Sequence, residues 1–316
     1  MRALVWDGAT LRYEADRRPP AAGDGSALLR VRLAGICSTD LQILKGYMGF
    51  RGVPGHELVG QVEEGPDDLV GRRVVAEINF ACGRCSFCEN GLGRHCPARQ
   101  VMGILGADGA FAEWVAAPSA NLHPLPDELS DEAAVFAEPL AAAFEILEQV
   151  KIKRGDKALV LGDGKLGLLC AQVLRLAGAA VTLVGRHAEK LAIARDGGVR
   201  TALLSDWRTE SHDVVVEATG DPSAMALAVR NVRPRGTLVL KSTVAAEHRL
   251  SLAEVVINEI TVVGSRCGPF PPALDALTKG EVCVTRLIER VYPLAQGLAA
   301  VGHAGRRGAR KILLRP

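Results

Sequence analysis

Residues 157–167 (KALVLGDGKLG) carry an apolar strand into a glycine-rich turn, and the turn opens the helical run KLGLLCAQVLRLAG from Lys165. The alternation continues downstream with strand AVTLVG, helix AEKLAIARDGG, strand DVVVEATG, helix AMALAVRNV and strand GTLVLKS. Apolar runs of strand length alternating with helical spacing specify a parallel, doubly wound sheet, hence an α/β fold. Within the turn, Gly162, Gly164 and Gly167 form G-x-G-x-x-G, with Asp163, Lys165 and Leu166 between them. The bare pattern is common, and a glycine-rich turn without a ligand is its plain alternative. The surrounding βαβ unit gives it a mechanism, because glycines let backbone N–H groups approach a pyrophosphate at the helix N-terminus. Asp163 must then point away from the phosphates.

In such a unit the second strand normally ends in an acid that grips the ribose hydroxyls of NAD. Here it ends in Gly185, followed by Arg186, His187 and, one helical turn on, Lys190. A carboxylate would repel a 2′-phosphate, glycine leaves room for one and a guanidinium binds it, so these residues favour NADP over NAD. A solvated loop arginine is the structural alternative.

Outward from this unit the texture changes. Residues 1 to about 125 are short β-branched runs broken by Gly, Pro and Asp, the rhythm of a many-stranded β fold, and helical spacing begins near Pro126. The tail is strand-like again in VTRLIERVYPL and ARKILLRP. The expected division is a β-rich domain over 1–138, completed by 278–316, and a dinucleotide-binding domain over 139–277. The 316 residues carry 38 basic and 36 acidic side chains, a formal charge of +2, which argues against a polyanion-binding surface. No uncharged apolar stretch reaches the roughly 18 residues of a membrane span, and Met1–Thr10 lacks a signal-peptide core. The expected location is the cytoplasm, with neither nucleic acid nor membrane as partner.

Reduced thiols are the rule in that compartment, so the eight cysteines raise the question of metal binding or catalysis. Cys170, Cys267 and Cys283 lie scattered in apolar sequence and read as small core residues. Cys82, Cys85, Cys88 and Cys96 crowd one short loop, where four thiolates enclose a tetrahedral Zn2+ with no open position, the mark of a structural site. An iron–sulfur cluster is the competitor, although the final spacing is longer than ferredoxins use. His95 is a further candidate donor or simply loop surface. A second set joins Cys37 in GICSTD, His56 and Glu57 in GHELVG, and Glu138 in AEPL. Each alone has a plain reading as a buried Cys, a core His or a capping Glu. One thiolate, one imidazole and one carboxylate around Zn2+ sum to zero charge and leave a position open for a substrate oxygen, which is the composition of a catalytic zinc.

Taken in order, GICSTD, GHELVG, the four-cysteine lobe, AEPL, GDGKLG, EATG and the closing strand RKILL give the chain an end-to-end resemblance to the zinc-dependent medium-chain alcohol dehydrogenases. The sorbitol, threonine and glucose dehydrogenase branch is the nearest in pattern, through Glu138 where other relatives have Cys. The resemblance implies a GroES-like β-rich catalytic domain and a Rossmann NADP-binding domain, with the active site in the cleft between them. It implies two zinc ions per chain: one at Cys37, His56 and either Glu57 or Glu138, the other in the thiolate cage. Thr39 matches the hydroxyl that accepts the substrate proton, and Asp40 the carboxylate that orients the ligand His. Thr219 of EATG and Arg266 of GSRCG join the cofactor set, although Arg266 also lies near a substrate-binding Arg of polyol enzymes and has a structural alternative. Tyr47, Met48, Phe50 and Phe270 either shape the pocket or simply pack.

Together these features imply an NADP(H)- and zinc-dependent dehydrogenase of alcohols, polyols or the matching carbonyls, assembled as a homodimer or homotetramer, with the edge strand near ITVVGS as a pairing surface. Gln42 stands where alcohol dehydrogenases often relay protons through His, and the loops between Cys37 and His56 and after Gly65 are short. The rivals are a quinone or enoyl reductase of the same superfamily and a non-catalytic NADPH-binding redox sensor.

Overall fold

Strand β1 (Ser26–Ile36) alternates exposed Arg30 and Arg32 with buried Val31 and Leu33, as a strand with one face on a core must. It runs into the short helix α1 (Ser38–Ile43) and is followed by strands β2 (Glu57–Glu64), β3 (Arg73–Ala76), β4 (Trp114–Pro118) and β5 (Leu122–Pro124). Helix α2 (Ala137–Gln149) then leads to β6 (Lys157–Leu161), α3 (Lys165–Leu176), β7 (Ala180–Gly185), α4 (Ala188–Asp196), β8 (Arg200–Leu203) and β9 (His212–Glu217). The alternation closes with α5 (Ala224–Arg230), β10 (Val232–Leu240), α6 (Leu252–Ile257), β11 (Thr261–Gly264) and α7 (Phe270–Thr278). Strand β12 (Ile288–Pro293), helix α8 (Gly297–Ala304) and strand β13 (Lys311–Arg315) complete the chain. This computed structural model describes residues 1–243 and 252–316.

The chain divides into two units, Met1–Glu138 with Ile288–Pro316, and Pro139–Leu287. In the first, the sheet order is β5-β3-β2-β1-β13-β12, with β4 also pairing β1. Gly35 of β1 stands opposite Glu57 of β2 on one side and Leu313 of β13 on the other, so a segment more than half the chain away completes the sheet beside His56 and Glu57. The return falls at Ile288, later than the expected residue 278. Val282 and Val284 are buried, and Cys283 exchanges hydrogen bonds with Gln172 of α3 at 2.6 and 3.3 Å, which keeps this stretch with the second unit.

The second unit is a sheet in the order β8-β7-β6-β9-β10-β11, every neighbouring pair parallel. Strand β6 is buried from Ala158 to Leu161, the continuous apolar run of a strand covered on both faces. Strand order reverses at β6, and the glycine-rich turn lies at its C-terminal end, the switch point where α/β sheets bind ligands. No helix among the described residues is long and apolar enough to cross a membrane.

Candidate active site

Strand β1 ends at Ile36, and the extended backbone of the next residue places Cys37 at the N-cap of α1. Asp40, buried in the first turn, accepts the Cys37 N–H at 2.7 Å with Oδ2 and faces His56 Nδ1 at 3.1 Å with Oδ1. One carboxylate therefore sets both the thiol-bearing backbone and the imidazole, leaving His56 Nε2 for a ligand. Burial works against a charge on His56, but Asp40 and then Cys37 outweigh it and raise the imidazole well above its usual range. Thr39 Oγ1 lies 3.8 Å from Cys37 Sγ. Donor atoms of Cys37, His56 and Glu57 all lie within 4.8 Å of one another.

Glu57 is fully buried. Its Oε2 pairs with Lys311 Nζ of β13, while its Oε1 has no hydrogen-bond partner among the described residues. Gly35 makes this possible, because a Cβ at that position would overlap Glu57 Oε2. Lys311 is itself buried, 5.5 Å over the Phe136 ring; burial opposes its charge, yet Glu57, Cys37 and Asp40 raise its pKa. An orphaned carboxylate oxygen beside a thiol and an imidazole is a donor set that fits a cation. Glu138 is half-buried in the first turn of α2 and is not one of the three residues whose donor atoms converge.

In the lobe, Cys82, Cys85, Cys88 and Cys96 bring their sulfurs within 4.8 Å of one another. Sγ separations are 3.5 Å for Cys85 to Cys88, 3.8 Å for Cys85 to Cys96 and 4.0 Å for Cys82 to Cys88. A tetrahedron of Zn–S bonds near 2.3 Å has edges of about 3.8 Å, so the spacing suits one ion of that size and is too tight for a cluster of irons. Cys82 N–H also points at Cys96 Sγ, 3.5 Å away. The Arg84 N–H, with Cys96 and Cys85, draws the Cys82 thiol down to about 6, while burial and Cys85 push Cys88 up to about 11. His95 is exposed and outside the set.

At the glycine-rich turn each glycine has its own reason. Gly162 has φ +113° and abuts the Ala218 carbonyl, Gly167 lies against the Gly162 carbonyl, and Gly164 at the N-cap of α3 faces open space. That is a cradle a phosphate can enter and a side chain would obstruct. Lys165 and Leu166 open the helix behind it. Asp163 does turn away, but toward the end of β7, where Oδ2 accepts the N–H groups of Arg186 at 2.7 Å and His187 at 2.6 Å. Gly185 is therefore not vacant ground for a phosphate; a Cβ there would overlap Asp163. Arg186 is half exposed and pairs with Asp221 at 2.9 Å. Lys190 is buried in α4 rather than presented at the surface. Thr219 donates to Glu217 Oε1 at 2.5 Å. Arg266 is half-buried beyond β11, its carbonyl held at 3.0 Å by the buried Lys241, which also reaches the Ala142 carbonyl and Ser265. Phe50 and Phe270 are core residues and Met48 is exposed.

Reading the sequence did not reveal Lys311, Gly35, Lys241 or the reach of Asp163. Lys311 left a signal, a charge at a buried position of the apolar strand KILL.

Residues 23–127 match the alcohol dehydrogenase GroES-like domain family, and residues 166–279 the zinc-binding dehydrogenase family. D-arabinitol dehydrogenase 1 of Uromyces fabae is 30% identical over 94% of this chain and 92% of its own. The chain belongs to the zinc-dependent medium-chain dehydrogenases. A zinc-binding dehydrogenase from Sinorhizobium meliloti 1021, solved bound to NADP, superposes with a TM-score of 0.92 at 28% identity, covering 100% of this chain and 99% of that one. An Escherichia coli CFT073 alcohol dehydrogenase solved with NADH gives 0.91 at 25%, covering 100% and 99%. The protein is thus an oxidoreductase of the nicotinamide-dependent alcohol and polyol type, with the GroES-like and Rossmann architecture of its family.

Proposed function

We propose that this chain exchanges a hydride reversibly between a polyol or simple alcohol and NADP(H), with one zinc held by Cys37, His56 and Glu57 and a second by Cys82, Cys85, Cys88 and Cys96. The observation that carries the reading is the buried, partnerless Oε1 of Glu57, whose carboxylate shares a 4.8 Å cluster with a thiol and an imidazole. Thiolate, neutral imidazole and carboxylate cancel the charge of one divalent ion, and Lys311 occupies the other Glu57 oxygen, so a single oxygen is offered. Bound zinc supplies a Lewis acid that makes an alcohol hydroxyl acidic near neutral pH, and the dinucleotide supplies the hydride acceptor. Asp40 holds the imidazole in the tautomer that offers Nε2. Thr39 Oγ1 takes the substrate hydroxyl proton, and since the amide of Gln42 cannot carry it further, the proton leaves through water or ribose hydroxyls. Glu138 is the competing donor.

A polyol is supported by the D-arabinitol enzyme among the relatives, and NADP by the half-exposed Arg186 guanidinium at the end of β7 and by the NADP-bound relative. The cytoplasm suits a chain whose eight cysteines form no disulfide. A homodimer is supported by edge strand β11, whose Val262 is exposed, and by Val256 and Ile257 of the preceding α6, 72% and 78% exposed.

Screening polyols, alcohols and carbonyls at the NADPH absorbance band, with metal analysis and sedimentation alongside, tests this. The expected result is a dimer with two zinc ions per chain whose turnover and one zinc are lost in Glu57→Ala and kept in Glu138→Ala. Iron in the lobe, or full activity without metal, refutes it.

A further inference from the structure

Gly185 lacks the positive φ that would require glycine, so its reason is space. The space is taken by Asp163, whose Cβ, Cγ and Oδ2 would all overlap a side chain at 185. Asp163 is only 7% exposed, and its carboxylate is fully engaged: Oδ2 accepts two successive backbone N–H groups at 2.7 and 2.6 Å, and both oxygens lie 3.1 Å from His187 Nδ1. Two consecutive N–H groups converging on one point form an anion-binding nest. This nest lies at the C-terminal end of the second strand, where the adenosine ribose of a dinucleotide is read in this fold.

We infer that Asp163 is a specificity-determining residue for the dinucleotide: an acid delivered by the glycine-rich turn to the end of β7, filling the amide nest that a 2′-phosphate would otherwise enter. The inference rests on the dinucleotide reading of this unit. The acid that β7 lacks in sequence is present in space, supplied by the neighbouring turn. A 2′-phosphate must then rely on the Arg186 guanidinium, which already pairs with Asp221, against the charge of Asp163. Asp163 thus restrains the preference for NADP and keeps NAD in use.

Calorimetric titration of the zinc-loaded protein with NAD+ and with NADP+, each variant's melting temperature recorded, tests this. Asp163→Ser frees two donors and removes a like charge, and should tighten NADP+ relative to NAD+ by about tenfold. Asp163→Asn, which keeps the shape, should shift the ratio the same way by less. Gly185→Asp alone should weaken both dinucleotides through collision with Asp163, whereas Gly185→Asp combined with Asp163→Ser should move the acid back to the strand and recover NAD+ preference. If Asp163→Ser and Asp163→Asn weaken both dinucleotides by the same factor, Asp163 only braces the turn and the inference is overturned. A wild type that binds neither dinucleotide defeats the underlying reading, and the inference with it.

Discussion

The lobe at Cys82–Cys96 and the set at Cys37, His56 and Glu57 gather candidate metal donors in opposite ways. The lobe draws four like groups from one loop, three of them only partly buried. The other set joins three unlike groups from separate elements, and each has a buried partner: Asp40 behind Cys37 and His56, Lys311 behind Glu57. Closing a short loop around a tight-binding ion needs little from the rest of the fold. Holding a mixed, incomplete set in a buried place needs counter-charges to keep each donor aimed and in its working protonation state. On the function proposed above, the first arrangement would serve stability and the second would leave room for a substrate.

The largest expected effect separates the two outright. Cys37→Ser should lower turnover by about a thousandfold or more while the lobe keeps its metal, so zinc per chain falls from two to one with little change in melting temperature. Loss of both ions would break the contrast. Next comes Cys88→Ser, which should empty the lobe and cost about 5 kcal/mol in denaturant unfolding, with residual activity in the folded fraction. Lys311→Met sharpens the contrast, because it leaves the buried Glu57 uncompensated: about 3 kcal/mol should be lost from the metal-free protein and clearly less from the zinc-loaded one. Equal losses in both forms would show that Lys311 does not serve the metal donor.

The smallest effect is in pH. The His56 imidazole titrates near 6.5 when unfolded and well above that in the metal-free fold. The folded state therefore binds the extra proton, and its stabilisation is complete below about 6.5 and fades as pH rises through the folded value. Melting temperature of the metal-free protein should fall across that window, and Asp40→Asn should flatten the fall. Zinc, which needs a neutral imidazole, should remove the dependence.

Legibility in the sequence followed the same divide. The lobe and GDGKLG are local patterns, so spacing and flanking elements were enough to read them, and the alternating strands and helices of 157–264 disclosed the parallel sheet. The partnership of Glu57 with Lys311 links residues 254 positions apart and depends on the register of three strands, which no local pattern specifies. Glu138 was an open alternative to Glu57 because both are acids in suitable motifs; the proximity of Glu57 donor atoms to those of Cys37 and His56 comes from strand register, which no local pattern announces. At Gly185 the sequence displayed a missing acid, and side-chain direction, invisible in sequence, replaced it with Asp163.

Strand β13 sits between β1 and β12, with the whole of the second unit inserted in the chain between β1 and β13. During synthesis, residues 139–287 can therefore close their own sheet while the first unit still has an unsatisfied edge on β1 and a buried carboxylate awaiting its ammonium. Nascent chains stalled before residue 311 should be held by chaperones or self-associate along that edge, and the donor set at Cys37, His56 and Glu57 should become competent only after release, which makes its loading a late event in the protein's life.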